Sequence, residues 1–422
     1  MNKEFNISFA REKDLNDPIA IFRKEFHIPK FNNRDAVYFT GNSLGLQPKN
    51  HNKYLDQELL DWKSMGVEGH FNAKTPWFDY HKSLTKDVAY IVGANEREVV
   101  TMNALSVNLH LLLTSFYQPT GKKYKILCEP NLFPSDLYIL HSQVELRGFN
   151  IEDAIIFAPI DSNGVVIEED LYDTIKSNQD ELAMIFLGGV NYYTGQVFDI
   201  EKITQIGHLY NVIVGFDLAH AAGNINLKLH DWGVDFAAWC SYKYLNAGPG
   251  NVSSIFIHEN QIDKKPFRLS GWWGHQSKNR FSIQKKHEPM NTAEGWQLSN
   301  APIFGMSIYR ASLQLFTQIG LEKLIKKRIE LSKYLEQAIH TFNLESNTIK
   351  LDIVTPGSAE KRGSQLSVLI NKEGKNIYNN LKKSGVHVDW RDPDVMRISP
   401  VPLYNSFEDI AKFYQILYAF NK

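Results

Sequence analysis

Between residues 90 and 260 six short apolar runs recur: "YKILCE", "AIIFAPI", "AMIFLGGV", "NVIVGFD", "FAAWCS" and "SSIFIH". Their apolar positions are consecutive rather than alternating, which predicts strands buried on both faces and hence a largely parallel sheet. Helix-length segments such as "EEDLYDTIKSNQ" and "IEKITQIGHLYN" separate the runs, so the region reads as a doubly wound α/β domain. A ligand of such a domain sits beyond the carboxyl ends of its strands. Asp217 closes the run "VIVGF" and is predicted at that edge.

After residue 300 the pattern changes. "MSIYRASLQLFTQIGLEKLIKKRIELSKYLEQAIHTF" has helical periodicity with a break at Gly320. Strand candidates "IKLDIV" and "SQLSVLI", a helix near 375–384, the run "VHVDW" and a last helix from residue 406 complete a smaller α+β domain. The chain thus divides into an N-terminal segment, 1–60, a large ligand-binding α/β domain, 61–305, and a small C-terminal domain, 306–422. The first segment carries "YFTGNSLGLQPK" and is expected to pack on the small domain or on a partner chain.

Composition narrows the classes. The 422 residues are 43% apolar and 22% charged with a formal net charge of -1, as in an ordinary globular protein. No basic block is present, so neither nucleic acid nor an anionic membrane surface is an expected partner. No apolar run reaches the roughly eighteen residues of a membrane span. "MNKEFNISFAREKDLND" has no apolar core, so no secretory leader is expected. Cys128 and Cys240 both lie in apolar runs and read as buried thiols in a reducing, cytoplasmic setting.

Several chemistries drop out. There is no G-x-G-x-x-G after a strand, no Gly-Lys-Ser/Thr loop, no H-E-x-x-H and no G-x-S-x-G elbow. Histidines 70, 110, 220 and 275 stand alone in sequence, so no metal is expected. A lysine nucleophile remains. Lys243 follows "FAAWCSY", anchored by a predicted buried strand, and a Schiff-base amine needs desolvation to lower its ordinary pKa of about 10.4. Asp217 ends a neighbouring predicted strand, and His220 follows three residues later. An acid so placed could hold the pyridinium nitrogen of pyridoxal phosphate, the pairing that keeps the ring an electron sink. Singly, Asp217 could be a helix cap and Lys243 a solvated turn residue; the spacing of the pair is what points beyond those readings.

With those residues in view the chain resembles the kynureninases, of the aminotransferase-like fold type I group of pyridoxal phosphate enzymes. The Asp217-Leu-Ala-His220 and Ser241-Tyr242-Lys243 elements are shared loosely with cysteine desulfurases. More specific are "FTGNSLGLQPK", "MNALSVNLHLLL", "LFPSD", "YYTGQ", "GWWGH", "LSNAPI" and "RISPVPLYNSF", spread from residue 39 to 407. The resemblance implies a large, mostly parallel sheet domain with a smaller α+β C-terminal domain. It also implies hydrolytic Cβ–Cγ cleavage of L-kynurenine, with 3-hydroxy-L-kynurenine as a further substrate, in tryptophan breakdown or NAD synthesis.

Residue by residue, it implies that Lys243 carries the cofactor and moves protons, and that Asp217 pairs with the ring nitrogen beside His220. Tyr242 would reach the phosphate and act as an acid. Leu105 and Ser106 would bind phosphate at a helix start, where free N–H groups and the dipole favour an anion. Phe133 would stack on the ring, with Pro134, Ser135 and Asp136 completing the pocket. Trp272 and Asn300 would enter from the neighbouring subunit of a homodimer with shared sites. Arg397 would clamp the substrate carboxylate through a bidentate fork, and Ser43, His70 and Ser299 are further substrate-pocket candidates. Some relatives have serine where this chain has Gly188; a backbone N–H is expected to stand in for that hydroxyl. The rival readings are a cysteine desulfurase or selenocysteine lyase, and a non-catalytic cofactor-binding protein.

Overall fold

A computed structural model describes residues 3–282 and 286–420; residues 1–2 of the N-terminal segment and 421–422 of the C-terminal domain lie outside the described residues. Seven strands form the central sheet: β1 (Val99–Met102), β2 (Lys125–Cys128), β3 (Ile155–Phe157), β4 (Leu182–Gly188), β5 (Ile213–Asp217), β6 (Phe236–Cys240) and β7 (Ser253–Ile257). Their order is β1-β7-β6-β5-β4-β2-β3. β7 runs antiparallel to β6 and β1, and the remaining pairs are parallel. All six apolar runs are strands, and every residue of β6 and β7 is buried, as two covered faces require. The carboxyl ends of β2, β4, β5 and β6 share one edge, which collects Glu129, Gly188, Asp217 and the turn leading to Lys243.

The helices behind the sheet show why the segments fold as they do. Ile200–Leu209 buries Ile200, Ile203, Thr204 and Gly207, one face at helical spacing. Asp199 caps it by accepting the Lys202 N–H at 3.0 Å, a contact of about 1 kcal/mol. Gly207 admits the sheet closely, since a Cβ there would lie 2.5 Å from Val214 Cγ2.

The small sheet comprises β8 (Leu351–Ile353), β9 (Leu366–Ile370), β10 (Asp389–Arg391) and β11 (Val395–Ile398), antiparallel throughout in the order β8-β9-β11-β10. The run "VHVDW" is not one strand. Val386–His387 pairs in parallel with Val37–Tyr38 of the N-terminal segment, and the chain then crosses at Val388 into β10. Helix Ile303–Ile319 packs on His51–Met65 and Lys82–Val92, and the chain changes partners at Gly320, whose φ of +88° suits glycine. The division drawn between residues 305 and 306 therefore falls inside a helix of the large body. Helices Leu321–Glu345 and Phe407–Phe420 cover the small sheet, with Ile7–Leu15 packed on the latter. The N-terminal segment thus touches both bodies.

Candidate active site

Lys243 lies three residues past β6, at the shared carboxyl edge. Its Nζ is 3.0 Å from His220 Nε2 and 5.6 Å from the centroid of the Phe133 ring. The turn that holds it is covered by the loop "GNSLG": Gly45 N–H donates to the Tyr242 carbonyl at 2.8 Å. A Cβ on Gly45 would lie 2.3 Å from the Lys243 carbonyl, so only glycine lets this loop seat there. His220 is buried, and its pKa is driven well below the usual imidazole value by that burial and then by Lys243, Arg397 and Arg391. It sits as a neutral ring. Tyr242 is half-buried, and burial with the neighbouring Cys240 thiol pushes its phenol up.

Asp217 is one of three carboxyls gathered under the cleft. It accepts the Ala219 N–H at 2.8 Å and shares a hydrogen bond with Asp136. Burial raises the pKa of both, and their mutual proximity raises Asp136 further. The Asp136 hydrogen bond, Lys243 and the Ala219 N–H hold back the rise of Asp217, so Asp136 is raised the further of the two. The third carboxyl, Glu129, directly follows β2 and is pushed up to about 8 by burial. Glu129 Oε2 accepts the Gly188 N–H at 3.0 Å, and Oε1 accepts from Asn191 at 3.3 Å. The Gly188 N–H is therefore committed to Glu129. A Cβ at Gly188 would sit 3.0 Å from Glu129 Oε1, so a larger residue would crowd that carboxyl.

Beside this acid cluster, helices Leu105–Phe116 and Pro134–Leu146 bring their N-termini together. Neither start has a side-chain cap, and Ser106 Oγ and Ser135 Oγ are hydrogen-bonded at 2.9 Å. Two uncapped helix starts and two hydroxyls fit a phosphate. Phe133, N-cap of the second helix, leaves 38% of its surface open beside Lys243 and meets Tyr192 edge-on at 5.1 Å. A ring face, a buried acid, an amine and a phosphate cup are what pyridoxal phosphate needs, and Lys243, Asp217, Phe133, Ser106 and Ser135 would hold it.

Arg397, on β11, is buried from solvent. Its NH1 donates to the Tyr192 carbonyl at 2.6 Å, its NH2 bonds Asp389 Oδ2, and its Nε has no partner among the described residues. It is half of an ion pair, though a buried one. Glu129, Asp389 and Arg391 belong to this neighbourhood but were not anticipated, and Tyr192 entered only as part of "YYTGQ"; Glu129 left a signal of its own, as an acid closing an apolar run.

Residues 324–417 match the kynureninase C-terminal domain family. A kynureninase from Flavobacterium psychrophilum is 48% identical over 413 residues, 97% of this chain and 97% of that protein. The chain belongs to the kynureninase family. The kynureninase of Homo sapiens is 43% identical, covering 97% of this chain and 91% of its own. Among solved structures, a cysteine desulfurase from Thermococcus onnurineus NA1 aligns with a TM-score of 0.77 at 18% identity, over 92% of this chain and 94% of that one, a likeness of fold. The fold is type I, and pyridoxal phosphate is the cofactor of the kynureninase family.

The remaining kynureninase-like segments gather elsewhere. Trp272 stands beside Trp273 and Phe281, its Nε1 donating to the Arg280 carbonyl at 2.9 Å. His70 packs edge-on against Trp77 at 5.6 Å, and the adjoining Phe71 reaches Phe281. "GWWGH" and "LSNAPI" touch through their backbones, a Cβ on Gly271 falling 2.2 Å from Leu298 Cα. His70 and Trp272 are thus joined through one aromatic surface patch, which Ser299 and Asn300 adjoin. Ser43 is exposed on the loop that covers the Lys243 turn.

The fold also brings Glu98, His230 and His258 within 4.8 Å of one another, a grouping invisible in sequence. Two of the three already accept backbone N–H groups. Glu98 accepts the Asn95 and Glu259 N–H groups at 2.8 and 2.9 Å, and His258 Nδ1 accepts that of Asn260 at 3.1 Å. The trio is a hydrogen-bonded knot.

Proposed function

We propose that this protein hydrolyses the Cβ–Cγ bond of L-kynurenine, giving L-alanine and anthranilate, and takes 3-hydroxy-L-kynurenine in the same way. Family membership along nearly the whole chain carries this reading. The cleft that joins an amine, a buried carboxyl pair and a buried guanidinium supports it. Pyridoxal phosphate, when bound, makes the substrate's α and β carbons acidic and its γ-carbonyl open to water. Arg397 holds the α-carboxylate and so fixes which bond faces the cofactor ring. Lys243 removes the proton at Cα, and Tyr242 delivers one to Cβ as the aryl acid departs. Asp217 keeps the ring nitrogen protonated. His220, neutral and bonded to Lys243 Nζ, orients that amine without adding charge.

Fluorescence of released anthranilate, measured on purified protein with pyridoxal phosphate and kynurenine, tests the reading. Sulfide from cysteine without anthranilate would mean a desulfurase; cofactor uptake with neither product would mean a non-catalytic protein. Both thiols, Cys128 and Cys240, are buried, and burial pushes the Cys128 thiol up, which speaks against a sulfur-accepting cysteine. Arg397→Lys should raise the Michaelis constant for kynurenine about tenfold, because a point charge cannot keep Tyr192, Asp389 and a carboxylate together. An unchanged constant would move the carboxylate seat elsewhere.

The active form is a homodimer with shared sites. Trp62, Phe71, Trp272 and Phe281 are each more than half exposed, a concentration of aromatic surface that a partner would cover. Trp272 and Asn300 then complete the neighbour's site, and two-fold symmetry makes the loan reciprocal. In a mixed dimer of a Lys243→Ala chain with an Asn300→Ala chain, both lesions fall in one site and the other is intact. Refolding the two weak variants together should restore activity, ideally one working site per mixed dimer. Mixed dimers as inactive as their parents would refute the sharing. Among the described residues no helix is long and apolar enough to cross a membrane. With two free, buried thiols, this is in keeping with a cytoplasmic enzyme of tryptophan breakdown or NAD synthesis.

A further inference from the structure

Asp389 stands between two arginines at the proposed carboxylate seat. Asp389 on β10 lies directly opposite Arg397 on β11, which is why the two side chains meet. Arg391, two residues along the same strand and so on the same face as Asp389, places its NH2 3.4 Å from Asp389 Oδ2. The two guanidinium carbons lie 5.8 Å (Arg397) and 5.9 Å (Arg391) from the centroid of the Tyr192 ring. One carboxylate and one aromatic ring are thus shared by two cations, and the Nε of each arginine is buried with no partner among the described residues.

Charge counting gives the arrangement its meaning. Arg397 and Asp389 alone form a neutral pair, so an arriving carboxylate would make two anions around one buried cation, a poorly balanced state in a low dielectric. Arg391 changes the balance: two cations and one anion leave a single positive charge, which one carboxylate neutralises. The other groups that bear on Arg397 add none. Tyr244 stays a phenol, bonded to Ser399 Oγ at 2.9 Å, and His220 is held neutral. We propose, on the reading of Arg397 as the carboxylate seat, that Arg391 is a positioning residue that keeps Asp389 occupied and supplies the net charge by which that seat selects a substrate carboxylate.

Steady-state kinetics on the pyridoxal phosphate-loaded enzyme test this. Arg391→Gln should raise KM for kynurenine about tenfold, the effect of one partly screened charge, while kcat falls less than about twofold. Adding Asp389→Asn to that variant regains the single positive charge and should bring KM back to within about threefold of the parent. Arg391→Lys, which keeps the charge, should also stay within about threefold. An unchanged KM in Arg391→Gln overturns the proposal, as does a double variant no better than the single one or a tenfold rise in Arg391→Lys. Arg397→Gln separates the two levels. If it raises KM while Arg391→Gln does not, the seat stands and the charge role of Arg391 falls; if it leaves KM unchanged, the seat itself is misplaced and both fall.

Discussion

Lys243→Ala is expected to abolish turnover and to remove the absorbance of the lysine-bound cofactor. The variant loses two functions at once. It has no amine for the cofactor to attach to, and no base at Cα, a proton transfer that alone contributes about 10²–10⁴-fold. The surroundings should survive, because the turn is held by backbone: Gly45 N–H on the Tyr242 carbonyl and Asn246 N–H on the Lys243 carbonyl. Loss of activity would therefore report chemistry rather than collapse, and the phosphate cup would still take up cofactor loosely. Borohydride reduction followed by digestion is the check. A reducible protein–cofactor bond that persists in the alanine variant would transfer the role to another lysine.

Asp217→Asn should keep part of the cofactor and lose most of the activity. An amide cannot give the charge-assisted bond that holds a ring nitrogen protonated, a difference of about 1.5–3 kcal/mol, or roughly ten- to a hundred-fold. The variant also changes Asp136. With the neighbouring carboxylate gone, the like-charge contribution that raises Asp136 disappears, and its pKa falls while burial and Glu129 still hold it up against Lys243. Cofactor absorbance and turnover, measured together across pH, separate the effects. Near-native turnover would leave Asp217 a structural acid at a strand end.

Much of this was legible because continuous burial marks a strand in its own composition, as in "FAAWC" and "SSIFI". Val99–Met102 escapes that pattern for a physical reason. Thr101 is buried through a hydrogen bond to Ser254 Oγ at 2.9 Å, so a core strand carries a residue that reads as polar. The site divides in the same way. Asp217 closes a strand and Lys243 follows one, so both announce themselves by position, and Glu129, directly after a strand, obeys the same rule. Asp389 and Arg391 gave no sign. Their meeting with Arg397 depends on the register of two antiparallel strands, which a one-residue slip would undo. His70 and Trp272 share an aromatic patch across some two hundred residues of chain, a proximity only tertiary structure creates.

The pairing of Val37–Tyr38 with Val386–His387 fixes an order of events in synthesis. Val37–Tyr38 is synthesised well before its strand partner, with the whole large sheet in between. Contacts of such long sequence separation form late, because the entropy of closing the loop must be met before they contribute. The loop that seats Gly45 on the Lys243 turn lies just beyond that strand, so this wall of the pocket is finished last. Until that loop seats, the catalytic edge of the large sheet stands open on this side, a consequence of topology alone.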